Sequence, residues 1–120
     1  ASLNSNWFNT KEYQEDAALY WINETIKMTD SSVKRVVIFA IPDQDDINFK
    51  ISSLGKVAQP RWVNKMNELS EKNSKVFFVN GLDFIPNDKN KISRMFLPCD
   101  GHWSNEGSDW AAKVLANYLN

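Results

Sequence analysis

The run V-V-I-F-A-I at residues 36–41 decides the fold of this chain, because it is continuously apolar and rich in β-branched side chains. A strand with one solvated face alternates apolar and polar residues, whereas a strand of a parallel sheet is covered on both faces and does not alternate. The run therefore predicts a strand buried on both faces. Pro42 ends it, and a second run of the same kind, V-F-F-V at residues 76–79, ends before Asn80-Gly81.

A helix is predicted between the two strands. Pro60 suits the first turn of a helix, and an apolar stripe at helical spacing continues to about Lys72, formed by Trp62, Val63, Met66 and Leu69. A strand, a helix and a second strand form the right-handed crossover unit of a parallel sheet. The sequence therefore predicts the α/β class, with the two strands as neighbours or near neighbours.

Further helices are predicted on either side of this unit. Asn9 and Glu12 resemble a capping box at the start of a helix from about Thr10 to Met28, and an amphipathic helix after Gly107 runs to Asn120. The other segments lack a clear period and are predicted as an irregular lead-in (residues 1–8), a short helical turn (47–55), a solvated loop (86–91) and a short extended piece (92–97).

Composition excludes several classes of function. The formal net charge of −1 and the absence of a basic patch argue against a nucleic-acid partner. No apolar run approaches the roughly 18 residues of a membrane-spanning helix, so no membrane segment is expected in this chain. Cys99 is the single cysteine, which precludes an intrachain disulfide and a thiolate metal cage, and we expect it to be an inert, small apolar residue.

Three acids follow the first predicted strand, at the strand end where open α/β sheets usually bind ligands. Asp43, Asp45 and Asp46 could coordinate a hard cation such as Ca²⁺ or Mg²⁺ through their carboxylates. The run lacks the glycine and the distal glutamate of an EF-hand loop, so a solvated acidic loop is the favoured interpretation. We expect neither a metal nor a cofactor in this chain.

The most informative candidate site is the stretch M-F-L-P-C-D-G-H-W-S-N-E-G at residues 95–107, which holds the single histidine. The Asp100 carboxylate can accept a hydrogen bond from Nδ1–H of His102, which leaves Nε2 as a general base for a serine nucleophile. Gly101 allows a tight turn between them, and Ser104 or Asn105 can cap the helix that follows. The alternative is a structural histidine, capping a helix or partly buried, that is bonded to Asp100.

The run D-G-H-W-S-N-E-G, followed by the helix W-A-A-K-V-L-A-N-Y-L, resembles the last conserved block of the SGNH (GDSL-like) hydrolase superfamily. The resemblance implies a three-layer α/β/α fold with a parallel flavodoxin-like sheet, incomplete in this chain. It implies that Asp100 and His102 are the acid and the histidine of a Ser-His-Asp triad, and Gly107 matches a glycine at the start of the family's last helix. The D-H-W form is similar to that of relatives acting on cell-surface carbohydrates, including alginate O-acetyltransferase-like proteins. The sequence does not fix the compartment, although an extracytoplasmic location is favoured.

The chain departs from the family pattern where the nucleophile is concerned. It contains neither the Gly-Asp-Ser block nor the G-x-N-D block of the oxyanion hole, and its D-x-H spacing leaves open whether Asp100 or Asp83 orients His102. We therefore expect residues 1–120 to be a single α/β domain or the C-terminal portion of a larger one, with the serine upstream of Ala1.

The expected activity is hydrolysis of an acyl ester or O-acyl transfer, on a small-molecule or carbohydrate ester. The 120-residue chain is expected to be inactive alone and to need the N-terminal part of its own fold. The alternative is a non-catalytic α/β binding or interaction domain, a degenerate SGNH fold that has lost its serine.

Overall fold

The computed structural model describes residues 5–119, which form a mixed α/β domain with a two-stranded parallel sheet. The described elements, in chain order, are α1 (Glu12–Lys27), β1 (Val36–Ala40), α2 (Gln44–Ser52), α3 (Arg61–Lys72), β2 (Val76–Asn80), a 3-10 turn (Gly81–Phe84), α4 (Lys89–Arg94) and α5 (Asn105–Leu119). The predicted α/β class is confirmed.

The two strands pair in parallel, with Val36 opposite Val76 and Ala40 opposite Asn80. The prediction that they are neighbours is confirmed. The helical connection between them contains α2 and α3, and both strands end near Gly81, where an added Cβ would meet the Ala40 carbonyl at 2.5 Å. Only glycine allows this close approach of the turn to the end of β1.

Helices α1 and α3 lie side by side on one face of the sheet. Ile26 near the end of α1 and Leu69 near the end of α3 pack with Val76, at the start of β2. The first residue of α3, Arg61, forms ion pairs of 2.9 Å with Glu12 and Glu15 in the first turn of α1. Both helices therefore begin near the carboxyl edge of the sheet and run antiparallel to the strands.

Helix α5 contacts the opposite side of β1. The Phe39 side chain points away from α1 and α3, because side chains alternate along a strand, and its ring lies 6.0 Å from that of Trp110. Just before β1, the Arg35 guanidinium donates to the Tyr118 carbonyl at 2.8 Å. Since Trp110 is near the start of α5 and Tyr118 near its end, α5 also runs antiparallel to the strands and begins at the carboxyl edge.

The larger buried cluster lies beyond the carboxyl edge of the sheet rather than between its layers. Its members come from the elements after each strand and from the lead-in, and they are Trp7, Ile47, Val63, Leu82, Ile92, Met95 and Phe96. The predicted irregular character of the lead-in holds for residues 5–8, although Trp7 is buried; residues 1–4 lie outside the described part of the chain.

The prediction that β1 is buried on both faces is wrong. All five residues of β1 are only half-buried, and Ile41, predicted in the strand, is exposed beyond its end. Within residues 5–119, β1 has a sheet neighbour on one edge only. On the face of α1 and α3, an apolar groove of about 290 Å³ remains, with Ile38 and Phe78 among its lining residues.

Several predicted boundaries are corrected. Helix α1 begins after Lys11, whose N–H donates to the Gln14 side chain at 3.0 Å, so the predicted Asn9–Glu12 capping box is wrong. The segment 47–55 belongs largely to α2, and α4 replaces the end of the predicted loop 86–91 and the start of the extended piece 92–97. The last helix begins at Asn105, before Gly107, and its predicted end at Asn120 lies outside the described residues.

Candidate active site

The residues around His102 form a small closed loop supported by two short extended segments. The Leu97 N–H donates to the His102 carbonyl at 2.7 Å, and the Ser104 N–H donates to the Met95 carbonyl at 2.8 Å. Between these hydrogen bonds Phe96 and Trp103 face each other as an antiparallel bridge. The segment before the loop and the segment after it therefore fix each other's position without any contribution from the sheet.

Two residues with left-handed backbone conformations shape the tip of the loop. Cys99 has φ of 72° and Gly101 has φ of 73°, and Asp100 lies between them. The tight turn predicted at Gly101 is confirmed. A non-glycine residue in this region costs about 1–2 kcal/mol, so the backbone at Cys99 is strained. The same turn directs the Asp100 side chain towards His102.

The Asp100 carboxylate and His102 contact each other at two points. Oδ1 of Asp100 accepts a hydrogen bond from the His102 backbone N–H at 2.8 Å and lies 3.2 Å from Nδ1 of the ring. The backbone hydrogen bond, and then the ring, hold the pKa of Asp100 below its ordinary value. The structure therefore brings together the two residues that the sequence predicts as a pair, and Asp100 rather than Asp83 is the carboxylate beside the ring.

The histidine ring faces solvent. The side chain of His102 is 82% exposed and that of Asp100 is 54% exposed, so the alternative of a partly buried structural histidine does not apply. When Nδ1–H donates to a carboxylate, Nε2 of the neutral ring carries no hydrogen and its lone pair can accept a proton. This is the arrangement of a general base. Among residues 5–119 no serine hydroxyl is hydrogen-bonded to this ring.

The pair lies at the carboxyl edge of the sheet. Because α5 begins at the carboxyl edge, the residues just before it, including His102, lie at that edge. The Trp103 ring lies 5.8 Å from Phe96 and 5.2 Å from Trp110, and Trp110 donates from Nε1 to the Phe84 carbonyl at 2.9 Å. Aromatic packing thus fixes the loop to the buried cluster beyond the ends of the strands.

The start of α5 is held closely against the loop. Ser104 caps the helix, since its Oγ accepts the Gly107 N–H at 3.2 Å, so of the two predicted capping residues Ser104 is the one used. A Cβ on Gly107 would lie 2.2 Å from the Met95 carbonyl oxygen and 2.9 Å from the Trp103 ring. Glycine at this position is therefore required by the close approach of the helix to the Met95 backbone.

Two of the three acids after β1, Asp43 and Asp46, have a structural role. Asp43 caps α2 by accepting the Asp46 N–H at 2.9 Å, and burial raises the pKa of Asp43. Asp46 is only 4% exposed and accepts from the Ser5 hydroxyl at 2.6 Å and the Trp7 N–H at 3.2 Å. The predicted solvated loop is thus wrong for Asp46, and the three-residue spacing of the two acids was the signal of a capping box.

Two other predictions concern a metal site and the single cysteine. In the described part of the chain, no group of three or more His, Cys, Asp or Glu side chains is arranged to hold a metal ion. Cys99 is exposed at the tip of the loop, and its expected inertness stays a prediction.

No helix within residues 5–119 is long and apolar enough to cross a membrane. No protein-family model, curated protein or solved structure matches this chain.

Proposed function

We propose that this chain supplies the acid and the histidine of a Ser-His-Asp triad in an SGNH-type serine ester hydrolase or acyltransferase. Asp100 orients His102 through Nδ1, and Nε2 removes the proton of a serine hydroxyl that another part of the fold provides. The substrate class is an O-acyl ester. The resemblance of the D-G-H-W block favours a carbohydrate as the carrier of the acyl group.

One observation carries the proposal: Nδ1 of His102 lies 3.2 Å from Oδ1 of Asp100 while the rest of the ring is open to solvent. A histidine that served only to cap a helix or to fill the core would direct its ring at the protein. Here the side opposite the carboxylate is accessible, at the sheet edge where α/β folds usually bind their ligands. An incoming serine hydroxyl can therefore reach Nε2.

The order of the elements supports a flavodoxin-like domain. In a flavodoxin-like sheet with strand order 2-1-3-4-5, the last two strands are neighbours, and β1 and β2 would take these positions. Helices α1 and α3 on one face and α5 on the other would then be the last three helices of that fold. The proposed triad residues lie between the last strand and the last helix, as the resemblance implies.

The outer edge of β1 is the proposed attachment point for the part that carries the serine. The Val36 N–H donates to the Lys75 carbonyl at 2.8 Å, and in a parallel ladder alternate residues bond to opposite sides. The N–H and carbonyl groups of Val37 and Phe39 therefore point away from β2. A further parallel strand would pair with them and would bury the half-exposed side chains of β1.

A non-catalytic interaction domain is the second candidate, and a specific feature favours it. Large apolar side chains on α1 and directly after it are well exposed, namely Tyr13, Tyr20, Trp21 and Met28. Exposed apolar surface of this kind marks a contact with another protein segment. In this second case the Asp100–His102 pair would have no catalytic role, and the chain would act through a partner that covers α1 and β1.

Labelling with a fluorophosphonate, which reacts with activated serines, separates the two candidates. The experiment uses the full natural polypeptide that contains this sequence, with His102→Ala as the test variant and Asp83→Ala as the control. The catalytic proposal predicts labelling of one serine outside these 120 residues, a loss of about a hundredfold or more in His102→Ala, and little change in Asp83→Ala. Absence of labelling in the wild-type polypeptide would favour the interaction domain.

The isolated 120-residue chain gives a second test. It should not hydrolyse p-nitrophenyl acetate faster than free imidazole does, because no serine hydroxyl within residues 5–119 is hydrogen-bonded to the His102 ring. Turnover by the isolated chain that is faster than that of free imidazole and that disappears in His102→Ala would show that a nucleophile is already present beside the ring, and would contradict this part of the proposal.

A further inference from the structure

Ser104 occupies the junction between two helices, directly after the histidine loop. Its Oγ donates to the carbonyl of Arg94, the last residue of α4, and accepts the N–H of Gly107 in the first turn of α5 at 3.2 Å. A hydroxyl has one donor hydrogen and two acceptor lone pairs, so it can make both bonds at once. One side chain thus connects the end of α4 to the start of α5.

This connection is adjacent to the two short extended segments whose hydrogen bonds hold His102. Met95 follows Arg94, and its carbonyl accepts the Ser104 N–H at 2.8 Å. Both the backbone and the side chain of Ser104 are therefore attached to the end of α4. Since His102 is two residues earlier in the same extended segment, a shift of Ser104 relative to Arg94 moves the histidine.

We propose that Ser104 is a positioning residue for the Asp100–His102 pair. By donating to the Arg94 carbonyl while it caps α5, its hydroxyl fixes the His102 ring against the Asp100 carboxylate. The consequence for catalysis rests on the proposed function, whereas the geometric role does not. A helix cap needs only an acceptor, and aspartate is as good a cap as serine; the connection to Arg94 needs a donor as well.

A second contact between the same helices provides a control. Nε of Arg94 lies 3.2 Å from the Glu106 carboxylate, and both side chains are well exposed. Exposed ion pairs contribute little to the position of the elements they join. Glu106→Gln therefore removes a contact at this junction and leaves the Ser104 hydroxyl in place.

The test uses three substitutions of Ser104. Ser104→Asp keeps the acceptor for α5 and removes the donor to Arg94, Ser104→Ala removes both, and Ser104→Thr keeps both. Besides Glu106→Gln, Ser70→Ala is a matched control, because the Ser70 hydroxyl also donates to a backbone carbonyl, that of Val76 at 2.8 Å, at the amino edge of the sheet.

The measurement is the ¹⁵N NMR spectrum of the histidine ring, which is unambiguous because His102 is the single histidine. In the wild-type chain the neutral ring should carry its proton mainly on Nδ1, directed at Asp100. Ser104→Asp and Ser104→Ala should lower the Nδ1–H population towards that of a free imidazole. Ser104→Thr, Glu106→Gln and Ser70→Ala should keep the wild-type spectrum.

Two results would overturn the proposal: a wild-type ring protonated on Nε2, or a wild-type tautomer retained in both Ser104→Asp and Ser104→Ala. If Ser104→Ala does not fold, Ser104→Asp decides, because it retains the helix cap.

Activity of the full natural polypeptide is measured separately. Ser104→Asp should lower kcat by about tenfold to a hundredfold with little change in KM, since small displacements of a catalytic group have effects of this size. A changed tautomer in Ser104→Asp, with no esterase activity even in the wild-type polypeptide, would contradict the proposed function and support the positioning role. Full activity of Ser104→Asp with an unchanged tautomer would contradict the positioning role alone.

Discussion

The histidine loop and strand β1 differ in where their order comes from. The hydrogen bonds that close the loop join residues between Arg94 and Gly107, and they need no other part of the chain. Strand β1 is held by hydrogen bonds to β2, which lies forty positions later in the sequence, as the pair Val36 and Val76 shows. The other edge of β1 has no sheet partner within residues 5–119. The loop that holds the proposed acid–histidine pair is therefore closed by its own hydrogen bonds, whereas strand β1 keeps an open edge and half-buried side chains.

The largest effect on stability is expected for Gly107→Ala, which disrupts the close packing of α5 against the histidine loop. An added Cβ would lie 2.2 Å from the Met95 carbonyl oxygen. Overpacking and the loss of the Ser104–Met95 hydrogen bond outweigh the higher helix propensity of alanine, so the free energy of unfolding should fall by about 3 kcal/mol. Urea denaturation measures the change.

Gly55→Ala is the control for this prediction. Gly55 has φ of 75° and no atom within 4 Å of an added Cβ, so only backbone strain of about 1 kcal/mol is expected. A cost of Gly107→Ala no greater than that of Gly55→Ala would show that the loop does not pack closely against α5.

The next effect compares the two strands directly. Val79 of β2 is 1% exposed, whereas Val37 of β1 is half-buried. Val79→Ala should lower the free energy of unfolding of the 120-residue chain by about 2 kcal/mol, and Val37→Ala by less than half of that. Equal losses for the two substitutions would mean that β1 is covered as well as β2, and that its edge is not open.

A smaller effect concerns the pH dependence of the pair. The pKa of Asp100 lies below its ordinary value of 3.8, and the first cause is the backbone N–H of His102 rather than its ring. A depressed carboxyl pKa in the folded state stabilises the fold above the unfolded-state pKa, and this contribution is lost as the pH falls through the folded-state pKa. Asp100 should therefore stop stabilising the fold only at acid pH, as the pH falls below the ordinary carboxyl range.

A ¹³C NMR titration of the Asp100 carboxyl checks this effect. The midpoint should lie below the ordinary value, and His102→Ala should keep most of the depression because the backbone N–H remains. Asp43 is the internal control, since burial shifts its pKa in the opposite direction. Return of the Asp100 midpoint to its ordinary value in His102→Ala would show that the ring, rather than the backbone, holds the carboxylate.

The sequence predicts the local features of the histidine loop well, although it misplaces the cap of α1 and misses the capping box of α2. The pairing of Asp100 with His102, the turn at Gly101 and the cap at Ser104 all depend on residues a few positions apart, and turn and cap chemistry can be recognised at that distance. The two strands and α3 were predicted because a continuous apolar run and a helical stripe have different periods.

Some features that the sequence did not predict depend on distant contacts. Asp46 is buried because Ser5 and Trp7, about forty residues earlier, donate to its carboxylate. No local pattern carries that information. The apolar run of β1 predicts two covered faces, but which segments cover them is a property of tertiary structure, and the described chain covers them only in part.

The most direct test of the comparison is amide hydrogen exchange, residue by residue, in the 120-residue chain. The Ile38 and Ala40 amides, which face β2, should be protected, as should those of Leu97 and Ser104, which close the histidine loop. The Val37 and Phe39 amides should exchange at rates near those of an open strand edge. Protection of Val37 and Phe39 equal to that of Ile38 would contradict the open edge, and with it the proposal that a further strand pairs there.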